Sequence, residues 1–148
     1  MEAIKRILVP MDFDPTSEAA LDTAVRFAKN LGAKITLLHV EPFAFSDVSQ
    51  ELFYEGTNAS TRARNTAQDR LASLIDARRD QGVTIDSEVR QGIVWDEILG
   101  AARNLGAELI VMGTHGRTGF ARGILGSVAD NVVRSSTIPV MTIRVKAP

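Results

Sequence analysis

The chain is 148 residues long, enough for one domain with a sizeable core that needs neither disulfides nor a structural metal. Seventeen basic against eighteen acidic side chains leave a formal net charge of -1, which gives no general reason to bind nucleic acid or an anionic membrane. Cysteine is absent, no apolar run approaches a membrane span, and Met1-Glu2-Ala3-Ile4-Lys5-Arg6 lacks the order of a signal peptide, so the sequence reads as soluble and cytoplasmic.

Taken in order, Ile7-Leu8-Val9 is a short apolar strand. Asp14-Pro15 then predicts an N-cap and first helical position, Ala20, Ala24, Phe27 and Ala28 a helical stripe, and Gly32 its stop. Ile35 to Val40 is the second strand. The segment from Pro42 to about Ala59 shows no clear period, and its length fits a lid, a partner surface or a mobile loop. Ala63, Ala67, Leu71, Leu74 and Ile75 mark a second helix ending before Gly82. Val83, Ile85, Ser87 and Val89 then alternate with polar residues, as in a strand with one less buried face. Val94, Ile98, Ala101, Ala102 and Leu105 form a third helix up to Gly106, Leu109 to Met112 a fourth strand, about Ser127 to Ser135 a fourth helix, and Val140 to Val145 the last strand. Continuous apolar character in the first, second and fourth strands suits the middle of a parallel sheet. The alternation predicts a single α/β domain over 1–148, a doubly wound five-stranded parallel sheet with right-handed crossovers.

Ligands of such sheets sit outside the carboxyl ends of the strands, which directs attention to the residues after each strand. Five of the eleven glycines fall between Gly113 and Gly126, and from Leu109 to Ala129 there is no carboxylate, while His115, Arg117 and Arg122 are present. Glycines let backbone N–H groups approach an anion without Cβ interference. Ser127, with Asp130 three residues on, has the form of a capping box, so a helix N-terminus with its positive dipole end begins where the glycines stop. Together these features favour a phosphate site over a merely flexible connection. Neither a P-loop nor a dinucleotide fingerprint is present. The first loop is anionic: Asp14 has a structural task as N-cap, whereas Asp12 is suited to accepting hydrogen bonds from a base or ribose, or to holding a divalent cation.

Gly113-x-x-Gly116, nine residues, then Gly126-Ser127 resembles the nucleotide motif of the ATP-binding branch of the universal stress proteins. The similarity extends through "ILVPMDF", "LLHV", "LIVMGTHGRTG", "LGSVADNVV" and "PVMTIR", nearly the whole chain outside Pro42 to Ala59. It implies strand order 3-2-1-4-5, helices on both faces, an ATP site and a homodimer. It also implies that Pro10, Met11 and Asp12 flank the adenosine, that the backbone at His39 and Val40 meets the adenine edge, and that Gly113, Gly116, Gly126, Ser127 and Val128 cradle ribose and phosphates. Arg117 and His115 lie inside the motif, and Asp12 is the candidate Mg²⁺ contact. His39, inside an apolar strand, reads as a satisfied core residue. In the implied order Val140 to Val145 is an apolar sheet edge that invites pairing across a two-fold axis, with Pro139 at its start.

Four functions bear on these residues. A nucleotide-dependent regulatory or stress-response protein needs a site and no catalytic machinery, which matches the residues present. A slow ATPase using Asp12 and Mg²⁺ is the alternative, although the glycine loop supplies no base. A phosphorylated receiver domain would need an acceptor aspartate after the third strand, where the chain has Arg90-Gln91-Gly92. A purely structural protein leaves the glycine loop unexplained.

Overall fold

The three continuously apolar runs become the three interior strands. In the computed structural model, which describes residues 2–43, 53–114 and 125–145, with the backbone alone for 53–58, five strands form one parallel sheet. They are β1 (Arg6–Pro10), β2 (Lys34–Glu41), β3 (Ile85–Gln91), β4 (Leu109–Gly113) and β5 (Val140–Ile143), in the order β3-β2-β1-β4-β5. Leu8, Ile35 and Ile110 are fully buried, each contributing roughly 1.5–3 kcal/mol, whereas the edge strands β3 and β5 bury no residue completely.

Side-chain alternation along the strands separates two cores. Ile7, Val9, Ile35, Leu37 and Val111 face α1 (Pro15–Leu31) and α2 (Phe53–Asp76), while Leu8, Leu38, Ile110 and Met112 face α3 (Val94–Leu105) and α4 (Ser127–Ser135). β1 pairs with both β2 and β4, and the helices that follow β1 and β4 pack on opposite faces. The topological switch point, where ligands of such sheets sit, is therefore between the carboxyl ends of β1 and β4.

Several boundaries differ from the sequence reading. α2 begins at Phe53, so the carboxyl part of the aperiodic Pro42 to Ala59 segment is helical. Gly56, Thr57, Asn58, Ser60 and Thr61 are weak helix formers and hide the period there. Phe27 lies at the edge of its stripe, 38% exposed, because Leu21 and Val25 join Ala20, Ala24 and Ala28 on the buried face. β3 starts at Ile85 and β5 ends at Ile143, leaving Arg144 and Val145 exposed beyond the last rung. No helix of the described residues is long and apolar enough to cross a membrane.

Candidate functional site

The loop after β1 is held by backbone geometry that begins with its helix cap. Asp14 caps α1, its carboxylate accepting the Ser17 N–H at 2.8 Å, and the buried Ser17 hydroxyl accepts in turn from the N–H groups of Asp14 (3.2 Å) and Asp12 (3.3 Å). This is the structural role expected of Asp14. Met11, whose N–H extends the sheet to Leu38 O at 2.7 Å, is buried, and Pro10 and Asp12 are half-buried. Met11 and Phe13 both pack into the core beneath α1 and α2, with Asp12 between them. Phe13 adopts φ +61°, the one positive φ of a non-glycine residue among those described.

His39 and Val40 point to opposite faces of β2. His39 is 2% exposed, with Nδ1 2.8 Å from the Met11 carbonyl oxygen and Nε2 2.9 Å from Glu41 Oε1. Both nitrogens are engaged, so the imidazole is the satisfied core residue its setting suggested. Val40 is buried in the other core, against which Val128 of α4 also packs.

On the far side of the switch point, Gly113 ends β4 against the first turn of α1. A Cβ at Gly113 would lie 2.6 Å from Thr16 Oγ1 and 2.9 Å from the Thr16 carbonyl carbon, so the close approach of helix and strand requires glycine. The next residue, Thr114, is buried; its N–H donates to Ile143 O at 3.0 Å and its carbonyl accepts the Gly126 N–H at 2.7 Å. The chain therefore leaves at Thr114 and returns at Gly126 to the same point. His115, Gly116, Arg117 and Arg122 lie outside the described residues.

The capping box expected at Ser127 and Asp130 does not form. Gly126 is the N-cap, no side chain of the described residues caps the helix, and the exposed Ser127 is already its first residue. Asp130, the fourth helical residue and still in the first turn, pairs with Arg134 at 3.1 Å. Among the described residues, then, no hydroxyl satisfies the first N–H groups of α4. Among the described residues no group of three or more acidic or imidazole side chains converges to hold a metal. A Mg²⁺ ion here would depend on Asp12 together with ligand phosphates and water, a donor set that suits a hard cation carried by a nucleotide.

Gly113 meets the first turn of α1, which follows the Asp12 loop, and Gly126 bonds to Thr114 beside Gly113, so these residues gather at the β1/β4 switch point, with Val40 and Val128 in the apolar layer on the α3 and α4 side. A cavity of about 210 Å³, lined by Glu41, Ser60, Arg64 and Gln91 among others, lies instead under α2 at the ends of β2 and β3 and contains none of the predicted site residues. Sequence reasoning missed Phe13, Ser17 and Thr114. Ser17, at the third helical position after an Asp-Pro start, was the readable one of the three.

The universal stress protein family model matches residues 3–144. The chain is 31% identical to universal stress protein MJ0531 of Methanocaldococcus jannaschii, over 95% of this chain and 82% of that protein. It is 30% identical to universal stress protein MJ0577 of the same organism over 96% of each, and the solved structure of MJ0577 superposes with a TM-score of 0.87 over 99% of both chains. The fold is shared with two universal stress protein structures, one in complex with cAMP (23% identity, TM-score 0.66, 96% of this chain and 98% of that one) and one from Archaeoglobus fulgidus in complex with dAMP (21%, 0.65, 97% and 99%).

Proposed function

The chain belongs to the universal stress protein family, and on that premise we propose that it is a regulatory, stress-response protein whose state is set by ATP bound at the switch point between β1 and β4. One observation carries the reading: the amino end of α4 begins on a glycine N-cap, without a side-chain cap among the described residues, and is tied by the Gly126 N–H to Thr114 at the end of β4. Such an end presents unpaired N–H groups and a positive dipole to an anion. The ten residues that leave and return there, 115–124, carry one histidine and two arginines and no acid. The family relatives in complex with cAMP and dAMP support a nucleotide as the ligand.

In this reading Gly126, Ser127, Val128, Gly116 and Arg117 meet the phosphates and ribose, and Asp12 meets the ribose or a Mg²⁺ ion. Pro10, Met11 and the backbone of His39 and Val40 border the base. Gly113 admits the first turn of α1 and so brings the two walls together. Binding stabilises whichever conformation or assembly holds the nucleotide better. The half-buried edge strand β5 pairs with its symmetry mate in a homodimer, and the protein works in the cytoplasm.

Mass spectrometry of small molecules released from the purified protein tests the ligand, with phosphate release from Mg·ATP followed in parallel. ATP or ADP in amounts approaching one per chain is the expected result. Release of no nucleotide, combined with failure to take up added ATP, refutes the proposal; sustained phosphate release would make the protein a slow ATPase using the same site.

A further inference from the structure

Asp12 is gripped on both sides by one imidazole. The preceding carbonyl, that of Met11, lies 2.8 Å from His39 Nδ1, and the following side chain, Phe13, places its ring centroid 4.8 Å from that of His39. The Arg70 guanidinium of α2 stands over the Phe13 ring, 4.2 Å from its centroid. Glu41 holds the other nitrogen of His39 at 2.9 Å. Phe13 needs such restraint, because a residue with a Cβ disfavours left-handed backbone by roughly tenfold relative to the right-handed form.

An aromatic residue beside a nucleotide site invites the idea of stacking on the base. Phe13 is instead committed to Arg70, His39 and the core beneath α1 and α2. We propose that Phe13 is a positioning residue for the nucleotide, clamped between α2 and β2 so that its left-handed backbone fixes Asp12 at the switch point. The inference rests on the nucleotide reading above. The clamp raises the fraction of molecules with Asp12 in place, and apparent affinity scales with that fraction. It also connects the position of α2 to the switch point, with Arg70 as the exposed side chain in that link.

The test is ATP binding by calorimetry to the full chain and to Arg70→Gln, Phe13→Leu and Asp12→Ala, alone and combined, with circular dichroism to verify folding. Arg70→Gln is expected to weaken ATP roughly twofold to fivefold, the worth of one exposed cation–π contact. Phe13→Leu should weaken it more, and in the Asp12→Ala background neither change should alter affinity beyond about twofold, since coupled residues are non-additive. Arg70 is exposed, so its variant carries the test if Phe13→Leu fails to fold. Full-sized losses in the Asp12→Ala background, or unchanged affinity in folded Arg70→Gln and Phe13→Leu, overturn the positioning role while leaving the nucleotide site standing. No ATP binding by the unaltered chain overturns both.

Discussion

Replacing Gly126 by alanine separates a glycine needed by a ligand from one needed by the fold. Gly126 sits at φ -60° and ψ 157°, backbone that any residue adopts, so the added methyl introduces no backbone strain. Removing glycine's freedom in the unfolded chain stabilises by about 0.4–1 kcal/mol, and alanine's weaker performance as an N-cap offsets a similar amount. The melting temperature without ligand should therefore hardly move. Gly113 is the contrast, because its Cβ would meet Thr16 at 2.6 Å and 2.9 Å. Overpacking of this kind costs about 1–3 kcal/mol, and about 2–4 °C of melting temperature accompanies each kcal/mol in a chain of this size.

On the binding side, a charge-assisted hydrogen bond contributes about 1.5–3 kcal/mol, so a methyl that holds phosphate away from one N–H at the start of α4 should weaken ATP roughly tenfold to hundredfold. Adenosine makes no phosphate contact and should change by less than about twofold. Calorimetric titration of Gly126→Ala with both ligands, beside scanning calorimetry of Gly126→Ala and Gly113→Ala, reads all these quantities. Equal losses for ATP and adenosine, or full ATP affinity in folded Gly126→Ala, would refute the assignment of the helix start to the phosphates.

Asp12→Ala should weaken ATP by about 1.5–3 kcal/mol with the fold intact, the range for hydrogen bonds to charged groups; unchanged affinity would reduce Asp12 to a surface acid. His39→Leu leaves the Met11 carbonyl without its partner and should destabilise by about 1–3 kcal/mol, measured as a lower urea midpoint, whereas an unshifted midpoint would show that the imidazole is dispensable. Light scattering at micromolar concentration should give twice the chain mass of 16.0 kDa, and a monomer would contradict pairing through β5.

What the sequence could reveal depended on whether the controlling interaction was local. Strands buried on both faces carry continuous apolar runs, so β1, β2 and β4 were readable as the sheet interior, and Ser127 to Ser135 matched α4 at both ends. The strand order came from family resemblance, since no local pattern states which strand pairs with which. Ser127 and Asp130 imitate a capping box in sequence, yet the preceding glycine, with no side chain to signal a cap, ends the extended segment one residue earlier. Phe13 gives no hint of positive φ, because the contacts that enforce it come from residues 26 and 57 positions away, His39 and Arg70. Gly113 was recognised as important within a ligand motif, but its tightest constraint is Thr16, on a helix distant in sequence.

Equilibrium titration of ATP into protein stripped of nucleotide tests the central claim most directly. A saturable site, one per chain, that binds ATP more tightly than adenosine is the result the glycine-capped start of α4 predicts. Absence of saturation into the millimolar range, or adenosine bound as tightly as ATP, would contradict it.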